Sequence, residues 1–372
     1  MIAGRRAELA YPLLLALGAL DAAGYSIIVP VAPAIAEDTG AGPTTIGLLV
    51  ASFAAAMVGG FALAAWGVTR HGSRPVLALS LGLVALGTLG FVLGDSLSIY
   101  FLSRVLMGLG SGGVWIGVTF DTLARWPGQE YLCMSRIYAA YSFGGVLGPA
   151  LGAFGGVRGP FLAYLALLLA SLPLVLLVAA PARRRAFAGD REVLRTRGFK
   201  LASAAILFAV LALGVFEGVL PLHFAERLDQ TEIAALYVAA SVVVAGSAAA
   251  AGKLRPRLLV VAAVVLATSG IALAGAAAEI PVWLIAALIA AVGIGVGNTG
   301  SVGVLVEAIP AERIVTAMVI WSQVGILGYL LGPLLGGVVA DEVGYAYVGL
   351  VPALAGGVVL LAVLASRAPR PT

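Results

Sequence analysis

Long apolar stretches separated by short polar breaks run from one end of the 372-residue chain to the other. Twelve are long enough to cross a bilayer: 9–34, 45–67, 75–93, 97–120, 136–157, 160–180, 201–222, 232–251, 257–276, 281–305, 315–339 and 346–365. Each is continuously apolar rather than alternating, and in hydrocarbon only helices or closed barrels satisfy the backbone, so the pattern predicts membrane helices. Arg5 and Arg6 precede the first stretch as they would in a signal peptide. That run is too long, and it contains Asp21, Pro30 and Pro33 with no clear cleavage site, which predicts a retained helix.

Composition agrees with a protein whose solvent is mostly lipid. Hydrophobic residues make up 61% of the chain and charged residues 11%, against about 25% charged in soluble domains. A mean hydropathy of +1.08 leaves too little polar surface for a soluble globule, which excludes a cytosolic enzyme, a disordered scaffold or a secreted disulfide module. The single cysteine, Cys133, excludes an internal disulfide and a cysteine-based metal cluster. The net charge of +4 would suit nucleic acid, but its distribution points elsewhere. With twelve spans, 19 of the 22 basic residues fall in one set of loops, from Arg5 and Arg6 to Arg367 and Arg370, including the 183–197 arginines. Arg158 and Arg227 lie in the opposite loops, and Arg104 alone lies inside a span. The positive-inside rule then places both termini in the cytoplasm of a multi-pass inner-membrane protein, and the nucleic-acid reading loses its basis.

The basic linker at 182–200 divides the chain into six spans and six, with bundles at 1–181 and 201–372. Gly144, Gly148, Pro149 and Gly152 of the fifth stretch recur as Gly328, Gly332, Pro333 and Gly336 of the eleventh, an offset of 184. Asp121 and Glu307, at the cytoplasmic ends of the fourth and tenth, are offset by 186. Such repetition predicts duplicated halves of like orientation, with a substrate site at their interface. Glycine at four-residue spacing admits close helix approach, and proline bends the helix.

These features resemble the major facilitator superfamily over essentially the whole chain. Gly144 to Gly152 looks like the fifth-helix motif of drug:proton antiporters, and Leu102 to Gly110, containing Arg104, like the fourth-helix motif. Asp21 with Pro30 and Pro33 resembles the first-helix pattern of that branch. Thr69-Arg70-His71-Gly72-Ser73-Arg74 resembles the superfamily's loop signature, with Thr69 where an Asp is usual and Ser73 where a basic residue is usual. Glu130 falls where an Arg is common, and Arg313 keeps the equivalent Arg in the second half. The resemblance implies an all-α membrane protein of twelve helices in two six-helix bundles, monomeric and without cofactor. It also implies a cytoplasmic charge latch, here reduced to Arg70 or Arg74 with Asp121.

Ionisable groups within the spans are few, and each asks for a reason. Asp21 lies midway through the first. A carboxylate in lipid is favoured neutral, which suits proton carriage, and a structural hydrogen bond to a neighbouring helix is the alternative. Arg104 is read either as the electrostatic partner of Asp21, the pairing that family geometry implies, or as bonded to backbone carbonyls near its glycines. Glu217, four residues before Pro221, is read as a proton or cation site or as a carboxylate reaching the outer interface. Asp121, Glu307 and Arg313 are read as gate residues. His223 is read as interfacial. Tyr25, Ser111, Trp115, Tyr138, Tyr141, Asn298, Trp321 and Gln323 occur in stretches that line the cavity in this superfamily; helix packing is the alternative for each. An aromatic cavity with one or two carboxylates suits amphipathic or cationic organic solutes.

The expected function is therefore a secondary transporter working by alternating access, exchanging protons for exported solute. An importer or facilitator of a sugar or organic acid on the same fold is the alternative. An intramembrane enzyme is more distant, because the spans carry no acidic pair, no His-Glu-x-x-His and no Ser/His dyad, and no nucleotide-binding loop supports an ATP-driven pump. The partners expected are a small-molecule substrate, protons and lipid, with no metal.

Overall fold

The computed structural model describes residues 2–126, 129–175, 191–310 and 313–365. Arg183, Arg184, Arg185, Arg367 and Arg370 lie outside the described residues, as does the side chain of Glu130. The first half contains α1 (Ile2–Ser26), α2 (Ile28–Thr39), α3 (Pro43–His71), α4 (Ser73–Leu93), α5 (Leu97–Arg125), α6 (Glu130–Gly152) and α7 (Arg158–Val175). The second contains α8 (Arg191–Arg195), α9 (Arg197–Gly218), α10 (Leu220–Phe224), α11 (Gln230–Ala251), α12 (Pro256–Ala276), α13 (Ile280–Ala308), α14 (Ile314–Glu342) and α15 (Leu350–Ala365). Among the described residues there is no strand, and ten helical stretches are long and apolar enough to cross a membrane, with Arg158–Pro173 a shorter apolar helix. The chain is an all-α membrane protein, as its apolar pattern predicts.

Two spans are interrupted by proline for the same reason. Pro30 has no N–H to give the Ser26 carbonyl, and Pro221 none to give that of Glu217. The first span breaks between α1 and α2, where Ser26 Oγ turns back onto the Ala22 carbonyl at 3.0 Å. The other breaks between α9 and α10 at Val219, whose φ of −125° and ψ of −48° leave the helical region. Glu217 therefore sits at a helix interruption, and Asp21 one and a half turns before one. Gly72 makes the one-residue turn from α3 to α4 at φ +88° and ψ 169°, a conformation essentially reserved for glycine.

Contacts divide the chain into two units. One gathers Met1–Ala41, Ser52–Phe187 and Asp229–Val238; the other gathers Gly42–Ala51, Ala188–Leu228 and Ala239–Thr372. In the first, α1 packs on α6 and α4 on α5; in the second, α9 packs on α14 and α12 on α13. The duplicated glycines seat two of these contacts. A methyl group at Gly144 or Gly148 would run into the Ala19 or Ala23 carbonyl of α1, and one at Gly328 or Gly332 into the Leu207 or Leu211 carbonyl of α9. Gly152 abuts the Pro30 ring, while Pro333 packs against Gly214 and Gly218. The motif performs the same close packing in each unit, fifth helix of the half against first.

Candidate substrate and coupling site

In the first unit the chemistry gathers around Asp21, which is 3% exposed. Ser111 Oγ of α5 donates to its Oδ2 at 2.8 Å, and the Tyr141 hydroxyl of α6 donates to the same oxygen at 3.1 Å. The Trp115 ring lies 4.8 Å from that of Tyr141, edge to face, and 5.4 Å from that of Tyr138. Tyr25 leans on Phe53 at 6.4 Å. A carboxylate is thus held by two hydroxyls beside a wall of three aromatic rings. Such a surface can take up a proton or a desolvated organic cation, since aromatic faces attract cations and the carboxylate supplies the counter-charge.

Arg104 is fully buried, and its guanidinium lies over the Phe53 ring, 4.5 Å from the centroid. The Asp21 oxygen contacted by Ser111 and Tyr141 thus has hydroxyl partners, and the expected Arg104 pairing gives way to a cation–π contact in the same unit. Arg104 and Ser111 are seven residues apart on α5, so the helix places both side chains on one face.

The second unit holds a corresponding acid. Glu217 is 5% exposed, and the Tyr329 hydroxyl of α14 donates to its Oε2 at 3.0 Å. The alternative of a carboxylate reaching the outer interface does not fit this burial. Trp321 is also buried; its indole N–H donates to Ser301 Oγ at 2.7 Å, and Ser301 donates to the Ala202 carbonyl at 2.8 Å, tying α14 to α13 and α9. Asn298 and Gln323 are half-buried. His223 is buried rather than solvated: its Nδ1 meets Glu226 Oε1 at 3.0 Å, its Nε2 faces the Ala277 carbonyl at 3.3 Å and its ring stacks on Tyr345 at 4.7 Å.

The gate residues pair differently from expectation. Asp121 is fully buried, and it accepts from Ser73 Oγ at 2.6 Å and from Arg125, one turn further along its own helix. Asp121 thus pairs within its own helix with Arg125, and among the described residues neither Arg70 nor Arg74 reaches it as the expected latch requires. The serine at position 73 contributes a neutral hydrogen bond where a basic residue is usual in the superfamily. Arg70 instead lies over the Trp66 ring at 5.4 Å. In the second unit Arg313 pairs with Glu192 of α8, and Glu307 is exposed. Among the described residues, no group of three or more His, Cys, Asp or Glu side chains gathers as a metal site would.

Two site residues escaped sequence reasoning. Tyr329 follows the first glycine of the eleventh-stretch motif, and Phe53 lies in an apolar run that gives no polar signal. A phenol in lipid needs a hydrogen-bond partner, and that need was the available signal for Tyr329.

The family model of the Major Facilitator Superfamily matches residues 14–275 and 203–372, and the chain belongs to that superfamily of membrane transporters. Among curated relatives, multidrug resistance protein 2 of Bacillus subtilis is 31% identical over 136 residues, 35% of this chain and 33% of that protein. Quinolone resistance protein NorA of Staphylococcus aureus is 30% identical over 135 residues, 35% of this chain and 34% of its own. The match spans about a third of the length of these relatives. Among solved structures, a bacterial homolog to the human lysosomal transporter Spinster, inward-facing and occupied, superposes with a TM-score of 0.79 at 15% identity, covering 96% of this chain and 94% of that one. A POT family transporter in complex with 5-aminolevulinic acid gives 0.76 at 13% identity, covering 96% of each chain. At these identities the likeness is one of fold. The protein is a multi-pass membrane protein of that transporter superfamily.

Proposed function

We propose that this transporter exports small organic solutes, amphipathic and cationic ones among them, in exchange for protons by alternating access. The observation that carries the reading is Asp21: a buried carboxylate held by Ser111 and Tyr141 beside the rings of Trp115 and Tyr138. A proton and an organic cation compete for one such negative charge, and that competition is the simplest physical basis for exchange. Glu217 offers a second buried carboxylate, and the buried Arg104 lies over Phe53 in the same unit as the first. The names of the two curated relatives, a multidrug and a quinolone resistance protein, support efflux of drug-like molecules. The working protein is read as a monomer of twelve spans in bundles 1–181 and 201–372, with the 182–200 linker and both termini cytoplasmic; the loop distribution of 19 among 22 basic residues supports this orientation.

The test is transport of a fluorescent organic cation in proteoliposomes under an imposed pH gradient, with solute-induced proton flux as a second readout. Wild-type protein is expected to move protons counter to the solute, and Asp21→Asn to lose gradient-driven transport while folding normally. Wild-type rates in Asp21→Asn would remove Asp21 from the mechanism; protons moving with the solute would overturn exchange.

A further inference from the structure

Outside the Asp21 site, α3, α4 and α5 enclose a groove of about 400 Å³. It is lined by Gly60, Leu63, Trp66, Val76, Leu79 and Leu109, among others. Its origin is local. A methyl at Gly60 would strike the Leu109 carbonyl and one at Gly113 the Ser80 side chain, so small residues draw the helices together at the floor. Leu63, Trp66 and Leu79 stand up at the rim, 65%, 58% and 67% exposed. The groove is apolar, and its exposed rim stands on helices long and apolar enough to cross a membrane.

One end of it is cationic. His71 lines that end, and its ring meets Trp66 edge to face at 6.0 Å. The Arg70 guanidinium lies over the same indole, 5.4 Å from its centroid, and Arg74 stands in the first turn of the next helix. Among the described residues no carboxylate lies within ion-pair range of Arg70, His71 or Arg74, and the nearby Asp121 is occupied by Arg125 and Ser73. The positive-inside reading puts this end at the cytoplasmic leaflet, whose anionic lipids attract juxtamembrane basic residues.

We propose that the groove binds one anionic phospholipid of the cytoplasmic leaflet, an acyl chain lying between Leu63, Trp66 and Leu79 and the phosphate resting on Arg70 and Arg74. The charge complementarity selects the occupant. A zwitterionic lipid fills an apolar groove equally well but leaves two arginines without a net counter-charge. Arginine presents a donor fork matched to phosphate oxygens, and Trp66 holds Arg70 at the mouth. Thr69, standing where the superfamily signature usually has Asp, leaves this edge without an acidic partner of its own.

The experiment is native mass spectrometry of the purified protein with phosphatidylglycerol and phosphatidylcholine of matched chains. Wild-type protein is expected to retain phosphatidylglycerol preferentially, by about fivefold for each arginine engaged. The Arg70→Gln/Arg74→Gln variant is expected to show no preference, and Arg70→Lys/Arg74→Lys to keep most of it. Leu79→Trp, checked for an intact fold by thermal unfolding, is expected to lower occupancy by both lipids. Equal retention by wild-type protein overturns the proposal. So does an unchanged preference in the double glutamine variant, an equal loss in a Lys253→Gln/Arg255→Gln control, or unchanged occupancy in folded Leu79→Trp.

Discussion

Tyr329 donates a 3.0 Å hydrogen bond to Glu217 across 112 positions of sequence, joining the fifth helix of the second half to the first. Tyr141 and Asp21 make the same kind of bond between the corresponding helices of the first half, at 3.1 Å. The tyrosines are not at equivalent repeat positions, since the motif offset of 184 carries Tyr141 to Gly325. The two halves thus reached a phenol–carboxylate pair by different residues of the same helix pair. Each pair rides on a helix broken by proline and seated by motif glycines, so a change at the carboxylate bears directly on a packed helix contact.

If Tyr329 acts through Glu217, the two must be energetically coupled. Glu217→Gln is expected to lower gradient-driven transport strongly and Tyr329→Phe more mildly, by the about 0.5–1.5 kcal/mol of one hydrogen bond. In the Glu217→Gln background, Tyr329→Phe should do little more. Transport rates for the four proteins of the double-mutant cycle check this, and strictly additive losses would show that the bond is incidental.

The motif glycines predict a contrast between neighbours. At Gly144 a methyl group meets the Ala19 carbonyl and the Ala22 side chain, whereas at Gly145 it meets nothing within 4 Å. Gly144→Ala should destabilise the protein by about 1–3 kcal/mol, the range for overpacking. Gly145→Ala should be neutral or slightly stabilising, because alanine is the better helix former. Thermal unfolding in detergent separates them; equal losses would mean that the helix, not its contact with α1, sets the requirement.

Much of this architecture is legible in the amino-acid sequence. Apolar runs mark the membrane helices because burial is a local property. The Gly144 and Gly328 motifs stand out because they recur. Side-chain partners are not legible in the same way, since they depend on helix rotation. Family geometry pointed Arg104 at Asp21, but the fold turns it over Phe53 and gives Asp21 two hydroxyls. The Asp121–Arg125 pair was within reach of sequence, being an i,i+4 spacing on one helix, but the loop signature drew attention to Arg70 and Arg74 instead.

That pair carries its own prediction. Asp121 is fully buried, so removing its cation leaves an uncompensated charge. Arg125→Gln should cost about 3 kcal/mol or more, while Arg70→Gln should barely change stability. Asp121→Asn/Arg125→Gln should recover most of the loss, since the charge is then gone. Unfolding temperatures of the four proteins decide it; a loss at Arg70 as large as at Arg125 would restore the loop latch.

The proposed orientation is testable because the only native thiol is hidden. Cys133 is 4% exposed, so it should resist maleimide in the folded protein, and Cys133→Ala supplies a clean background. In that background Asp95→Cys places a thiol at the exposed turn between α4 and α5, and Lys253→Cys places one at the turn between α11 and α12. If basic loops face the cytoplasm, intact cells should label Asp95→Cys with a membrane-impermeant maleimide and should label Lys253→Cys only after permeabilisation. The reverse pattern would invert the protein, move Arg70 and Arg74 to the outer leaflet and remove the charge argument for both orientation and lipid.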